Sequence, residues 1–277
     1  MQFWKMQGLG NDYIVIDNRD EKISTKKAAD LAKQLCERRF SIGADGLLLV
    51  SGSKVADAKM RIFNADGSEA EMCGNGIRCF AKYCYETSIV AKPKLTVETL
   101  SGVKHVWLTL NGKEISAIKV DMGAPNWQRS SLPMTGQGTC INEDLEVDGE
   151  TFKVTCLSMG NPHCVIFVEC VDCFPVEEIG PKIENHKAFP KRTNVGFVEL
   201  LNENELNVRV WERGCGETLA CGTGTCAAVV ASNKLGLVGN KVTAHVLGGE
   251  LTVEIGETLF LSGAAEKVFE GKLFGDA

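Results

Sequence analysis

Excess positive charge, aromatic rings and long apolar runs are all scarce in this sequence. Lysine and arginine number 30 against 36 aspartates and glutamates, a formal net charge of −6. Binding to nucleic acid usually rests on a basic face, so no nucleic-acid partner is expected. Aromatic residues make up 7% of the chain, and no Arg/Lys-rich run alternates with them. No stretch reaches the roughly 18 apolar residues of a membrane span, which argues against membrane insertion. Residues 1–17 lack the basic region, apolar run and small-residue cleavage site of a secretory leader. Cysteine occurs 12 times in 277 residues, well below the roughly 8–10% of a disulfide scaffold. A cytoplasmic protein with reduced thiols is therefore expected. The GxxxxGK[ST], GxSxG and HExxH patterns are absent. Gly222-Thr-Gly-Thr-Cys-Ala227 fits a dinucleotide fingerprint only loosely and lacks its βαβ context. Cys170-Val-Asp-Cys173 has no second pair at zinc spacing, because His186 and Cys140 do not supply one. No metal and no cofactor is expected.

What is present is a repeat. Arg61-Ile-Phe-Asn-Ala-Asp-Gly-Ser-Glu-Ala-Glu-Met-Cys-Gly-Asn-Gly76 returns as Arg209-Val-Trp-Glu-Arg-Gly-Cys-Gly-Glu-Thr-Leu-Ala-Cys-Gly-Thr-Gly224. One uniform offset carries Arg61 onto Arg209, Glu69 onto Glu217, Cys73 onto Cys221, Gly74 onto Gly222 and Gly76 onto Gly224. The period is far longer than the roughly 20–50 residues of a solenoid and indicates a duplication. A chain of 277 residues is comfortable as two domains. The two halves read alike. Strands are expected at Phe3–Met6, Tyr13–Asp17, Leu47–Val50 and Met60–Phe63, with a Ser24-capped helix running to about Arg38. From Gly74, the apolar positions Ile77, Phe80, Ala81 and Cys84 follow helical spacing. Strands at Leu95–Glu98, Val106–Leu110 and Ile115–Asp121 lead to a crossover near Gly123, where prolines and glycines gather. In the second half, Met159–Val168 echoes Leu9–Ile16, a helix spans about Pro175–Asn185, and Leu206–Trp211 is a strand. The helix after Cys221 has no polar stripe over its first turns, so it is expected to be buried on all sides, wrapped by sheet. Gly236 ends it. Strands at Lys241–Val246, Glu250–Ile255 and Leu259–Ser262 close the chain.

Two thiols, each just before a glycine-rich helix start, suggest acid/base chemistry on a carbon. A free thiol titrates near pH 8.5, and a helix N-terminus lowers that. The backbone N–H groups of Gly74, Asn75, Gly222 and Thr223 would form an anion site for a substrate carboxylate. They would stabilise the charge that develops as an amino acid loses its α-proton. One cysteine would act as thiolate base and the other, as thiol, would protonate the opposite face. The alternative is two structural cysteines, since buried cysteine is common; the matching repeat favours function. His163, in a turn after Asn161-Pro162, is either structural or a thiol-tuning imidazole. Glu212-Arg213 is either a surface ion pair or a clamp for a zwitterion, and Glu212 stands at the repeat position of Asn64. Asn11 and Asn161 occupy matching Gly-Asn turns, where asparagine commonly serves the turn itself. Cys79, Cys84, Cys215 and Cys226 read as packing residues.

At these residues the chain resembles the diaminopimelate epimerases, over its whole length. The resemblance is carried by Lys5-Met-Gln-Gly-Leu-Gly-Asn-Asp12, Asn64–Arg78, Met159-Gly-Asn-Pro-His163, Thr193-Asn-Val-Gly196 and Trp211–Gly224. It implies a pyridoxal-independent isomerase of lysine biosynthesis that interconverts LL- and meso-2,6-diaminopimelate, with Cys73 and Cys221 as the acid/base pair. Substrate binding is implied for Asn11, Asn64, Asn161, Asn194, Glu212 and Arg213, with the backbone at Gly74-Asn75 and Gly222-Thr223. His163 and Glu212 would tune the thiols. The implied fold is α/β of the α+β kind, with two pseudo-symmetric halves, each a β-barrel-like mixed sheet around a central helix, usually as a homodimer. The first half would comprise residues 1–120 and 265–277, the second 121–264. Some members place a glutamine contact where this chain has Gly46, so no substrate contact is assigned to that loop. The rivals are a proline or hydroxyproline racemase, which shares the two-cysteine logic, and a non-catalytic amino-acid-binding protein.

Overall fold

Strand and helix segments follow one another in an order that runs twice along the chain. The computed structural model describes residues 1–274. It divides into two compact units, Met1–Asp121 with the described part of Ser262–Ala277, and Met122–Leu261. Residues 275–277, the end of the segment expected to join the first half, lie outside the described residues.

In the first unit, Gln2–Gly8 and Asn11–Asp17 form an antiparallel hairpin. Its two turn residues, Leu9 and Gly10, have φ of 57° and 85°, as a tight two-residue hairpin requires. Asn11–Asp17 then pairs in parallel with Gly46–Ser51. Parallel neighbours need a crossover, and helix α1 (Thr25–Leu35) makes it. Ser24 caps α1, its Oγ accepting the Lys27 N–H at 3.3 Å. The helix lays Ala28, Leu31, Ala32 and Leu35 against Ile14, Ile16, Leu47, Leu49 and Phe63. Gly46–Ser51 pairs antiparallel with Ala58–Asn64, which turns back into Glu69–Ala70. A second crossover helix, α2 (Gly74–Glu86), leads to Lys94–Thr99, parallel to Ala58–Asn64. Gly102–Asn111 and Glu114–Gly123 extend the meander, and Glu266–Lys272 covers the open edge of Gln2–Gly8.

The second unit repeats this order. Glu150–Ser158 and Pro162–Phe167 form the hairpin. Helix α3 (Val176–Glu184) makes the crossover to Asn194–Asn202. Glu205–Glu212 pairs antiparallel with Asn194–Asn202 and turns into Gly216–Thr218. Helix α4 (Gly222–Lys234) then crosses to Lys241–Val246, followed by Gly249–Ile255. Here the edge of the first hairpin is covered by Cys140–Val147.

Each unit is thus a mixed sheet around a buried helix. Helix α2 touches strands from Gln2–Gly8 through Gly102–Asn111, and α4 touches strands from Glu150–Ser158 through Gly249–Ile255. Residues 74–81 of α2 and 224–232 of α4 are all buried. The all-round burial expected of α4 therefore extends to α2, including Arg78. That guanidinium is satisfied in place, donating to Gly74 O at 3.0 Å, Asn75 Oδ1 at 2.9 Å and Ala264 O at 3.1 Å. A buried cation without such partners would be strongly destabilising.

Several expectations are corrected. Helix α1 stops at Leu35 rather than near Arg38, because Cys36 forms the C-cap and Arg39 has φ 75°. The Pro/Gly-rich stretch after Gly123 is not only a connection. It holds a 3₁₀ turn, Arg129–Ser131, and the strand Cys140–Val147. Arg129 orders it by donating to Thr135 O at 2.9 Å and Thr139 O at 3.0 Å and by pairing with Glu143. Strand Glu266–Lys272 escaped the pattern because all but one of its residues are exposed. Not every thiol is reduced, since Cys170 and Cys173 form a disulfide in the turn before α3. Cys79, Cys84 and Cys226 are packing residues, but Cys215 is exposed. Phe80, fully buried in α2, tests how far the helix holds the first unit. Its replacement by alanine is expected to lower the unfolding free energy by about 3–5 kcal/mol, read from urea denaturation.

Candidate functional site

The two repeat cysteines both stand at the N-cap of the buried helix of their unit, with extended backbone (Cys73 φ −139°, ψ 126°; Cys221 φ −113°, ψ 108°). The first turn of any helix leaves N–H groups without intrahelical acceptors. In α2 the sulfur itself takes one, because Cys73 Sγ accepts the Gly76 N–H at 3.4 Å. This is the bond a serine or aspartate cap ordinarily makes.

The hairpin before each cysteine is pinned by a two-pronged ion pair. Arg61 meets Glu69 at 2.7 and 2.9 Å, and Arg209 meets Glu217 at 2.6 and 2.9 Å. Each arginine also reaches the start of its unit's first crossover. Arg61 donates to Thr25 Oγ1 at 3.0 Å, and Arg209 donates to the carbonyls of Val171 at 3.0 Å and Phe174 at 3.2 Å. The repeated Arg and Glu thus fix where the chain enters the helix and where the thiol sits.

Around Cys73, Tyr13 Oη lies 3.1 Å and Asn11 Oδ1 3.5 Å from the sulfur. Asn11 donates through Nδ2 to Asp45 at 2.8 Å. Asp45 and Asp12 share Arg38, and Asp12 also pairs with the buried Lys5 at 2.7 Å. Burial resists ionisation of Asp12, but Arg38 and Lys5 outweigh it and hold the carboxyl below the usual range. Asn64 lies exposed at the end of its strand and donates to Ser68 Oγ at 2.9 Å. The Asn75 side chain is buried and accepts from Arg78.

Cys221 is different. It is buried, its sulfur makes no capping bond, and Thr223 Oγ1 lies 3.6 Å away. Burial raises its pKa well above the usual thiol value, and the charge on Glu212 adds to this. Thr223 and the Gly224 N–H pull the other way and do not prevail. The expectation that a helix start alone lowers a thiol's pKa is therefore corrected here, since desolvation is the larger effect. Glu212 accepts from Thr218 Oγ1 at 2.6 Å. Asn161 reaches Thr223 Oγ1 through Nδ2 at 3.2 Å, and its Oδ1 lies 3.0 Å from His163 Nε2. His163 is fully buried. Desolvation, with Arg213 nearby, lowers its pKa to about 3. The ring is neutral at physiological pH, and because Asn161 Oδ1 can only accept, the network assigns the proton to Nε2. The ring's hydrogen-bond partner is Asn161 rather than a thiol. Asn194 is buried and braces the hairpin, donating to Pro162 O at 2.7 Å and accepting the Arg213 N–H at 2.9 Å. The Arg213 guanidinium reaches Lys191 O at 3.3 Å.

So the first unit gathers Asn11 beside Cys73, with Asn64 ending the strand that precedes its hairpin. The second gathers Asn161, Glu212 and Thr223 near Cys221, with His163, Asn194 and Arg213 behind them. A cavity of about 250 Å³ lined by Pro125, Trp127, Lys234 and Glu257 lies at the other end of α4 and contains none of these residues.

The sequence model of the diaminopimelate epimerase family matches residues 3–128 and 155–268. The chain is 51% identical over 275 residues to the diaminopimelate epimerase of Moorella thermoacetica, covering 98% of both chains. It is 47% identical over 277 residues to that of Methanococcus maripaludis, covering 99% of both. The chain belongs to the diaminopimelate epimerase family. Among solved structures it is similar in fold to a hydroxyproline epimerase from Agrobacterium vitis, at TM-score 0.72 and 14% identity over 99% of this chain and 90% of that one. A Bacillus anthracis phenazine biosynthesis protein of the PhzF family is also similar, at TM-score 0.71 and 18% identity over 99% of each chain.

Sequence reasoning missed Tyr13, Asp45 and Glu184. Tyr13 read as an ordinary strand residue. Glu184, buried, accepts from Trp211 Nε1 at 2.7 Å and the Gly214 N–H at 2.9 Å and so supports the Glu212–Arg213 hairpin; its place inside a helix hid that. His163 yields a pH test. Its folded pKa of about 3 lies below the usual 6.5, so the unfolded chain takes the proton first. The stabilisation is complete above pH 6.5 and is lost as pH falls toward 3. His163 is expected to steepen the fall of unfolding free energy in that window by up to about 1.4 kcal/mol per pH unit. In urea titrations, His163→Asn should flatten it by the same amount.

Proposed function

We propose that this isomerase interconverts LL- and meso-2,6-diaminopimelate without pyridoxal, with Cys73 and Cys221 as thiolate base and thiol acid on opposite faces of the α-carbon. The observation that carries the reading is the matched placement of the two thiols, each at the N-cap of its unit's buried helix behind an Arg–Glu-pinned hairpin, in a chain of this family. Burial and Glu212 favour a proton on Cys221, which suits it to donate. Cys73 is less buried and has N–H and O–H donors aimed at its sulfur, which suits it to accept. In that direction Cys73 takes the α-proton and Cys221 gives its own to the opposite face. The thiols finish with their roles exchanged, ready for the reverse reaction. The first-turn N–H groups at Gly74-Asn75 and Gly222-Thr223 would hold the reacting carboxylate and the charge that builds there.

The remaining groups suit a substrate with an amino acid at both ends. Asn11, Asn64 and Asn161 offer hydrogen bonds, Glu212 suits an ammonium and Arg213 a carboxylate. Asn194 acts by setting Arg213, and His163 by orienting Asn161. The two-domain division proposed, 1–120 with 265–277 and 121–264, is supported by the two compact units. A homodimer in the cytoplasm is proposed with it, open to sedimentation and fractionation.

Cys73→Ala and Cys221→Ala should each lower kcat by about 10²–10⁴-fold or more, the usual range for a proton-transfer group. Full epimerisation by either variant would overturn the two-base reading. Turnover of proline but not diaminopimelate by the unmodified protein would transfer the same machinery to a proline-type racemase.

A further inference from the structure

Three atoms around the first thiol form a closed triangle. Tyr13 Oη lies 3.1 Å from Cys73 Sγ and 2.8 Å from Asn11 Oδ1, and Sγ lies 3.5 Å from the same Oδ1. The phenol and the thiol bring one proton each, and the amide oxygen brings none. The Asn11 amide is held in its orientation, because Nδ2 donates to Asp45 Oδ2 at 2.8 Å. That carboxylate is itself anchored by the Asp12 N–H at 3.0 Å and by Arg38 at 3.0 Å. Oδ1 therefore faces the triangle.

The triangle has two arrangements. With Cys73 protonated, the S–H donates to Asn11 Oδ1 and the phenol can do the same. Once Cys73 is a thiolate, its sulfur can only accept, and a bond to a charged acceptor is stronger than one to a neutral amide. The phenol's single proton then belongs on the sulfur. Tyr13 does not lose that proton itself, because burial, reinforced by the nearby sulfur's charge, raises its pKa well above 10.

One glycine makes room for the ring, and a second lies beside it. Tyr13 and Gly46 are partners across the parallel strands. A Cβ at position 46 would lie 2.8 Å from Phe63 O and 3.1 Å from Tyr13 Cε1, too close for any side chain without displacing the ring or the backbone. On the other side a Cβ at Gly76 would lie 3.4 Å from Tyr13 Cζ, and the Gly76 N–H is the second donor to the sulfur. The absence of a side chain at position 46 thus leaves room for the ring of Tyr13.

We propose that Tyr13 is a positioning residue for proton transfer at Cys73. Its hydroxyl proton turns from Asn11 Oδ1 to the sulfur as the thiolate forms, and this frees Asn11 Oδ1 to accept an N–H of the substrate ammonium. When Cys73 takes the α-proton, the phenol returns to Asn11. No bond in Tyr13 is broken: the protons transferred are the one Cys73 gives up when its thiolate forms, the α-proton it then takes, and the one Cys221 delivers to the opposite face. The proposal rests on Cys73 being an acid/base residue.

Tyr13→Phe keeps the ring and removes only the hydroxyl. The test measures the rate of Cys73 alkylation by iodoacetamide against pH, by mass spectrometry, with exposed Cys215 in the same molecule as reference. In the variant, the pH of half-maximal Cys73 alkylation should rise by at least about one unit, making alkylation at pH 7 about tenfold slower or more, with Cys215 unchanged. The acid limb of kcat/KM for diaminopimelate should move the same way, a change that loss of packing alone would not give. A folded Tyr13→Phe protein with the unmodified protein's Cys73 alkylation profile would overturn the proposal. Alkylation needs only the thiol, so this outcome is separate from failure of the epimerase reading, which would show as an active Cys73→Ala protein.

Discussion

Everything that concerns chemistry in this molecule depends on a helix buried on every side and beginning at a cysteine. Sheet surrounds α2 and α4, so neither can shift or turn without opening a core. The N-cap residue inherits that rigidity. Glycine at the third helical position is part of the same constraint, since a Cβ on Gly224 would lie 3.0 Å from Val210. The Arg61–Glu69 and Arg209–Glu217 forks then fix the chain just upstream. Because the forks are partly buried and two-pronged, they resist the screening that makes exposed ion pairs weak.

The duplication supplies two equivalent frames, but the thiols within them are not equivalent. Cys73 caps its helix with its own sulfur and meets a phenol and an amide. Cys221 is enclosed and stands under the influence of Glu212, which opposes its ionisation. In the proposed reaction one thiol starts as base and the other as acid, and these surroundings suit Cys73 to the first role and Cys221 to the second.

Much of this was legible in the sequence. The Cys-Gly-x-Gly repeats located both helix starts, and the absence of a polar stripe after Cys221 announced its burial. Ser24 announced α1. What escaped notice had weak local signals. Glu266–Lys272 pairs with the first strand while almost wholly exposed, so no alternation betrays it. Cys140–Val147 lies in a Pro/Gly-rich stretch ordered by Arg129, whose carbonyl partners no periodicity predicts. Tyr13 looked like any strand aromatic, and its link to Cys73 spans 60 positions of chain. The expected effect of a helix start on Cys221 was reversed by desolvation, which depends on tertiary packing and cannot be read from neighbours in sequence.

The most direct measurement is proton NMR of reduced protein with LL-diaminopimelate in D₂O, without added pyridoxal, followed from the earliest turnovers. Two thiols on opposite faces predict that meso product appears with deuterium at the inverted α-carbon while unreacted LL substrate still carries its proton. Meso product that retains the substrate's own α-proton would contradict the account, as would the absence of any exchange.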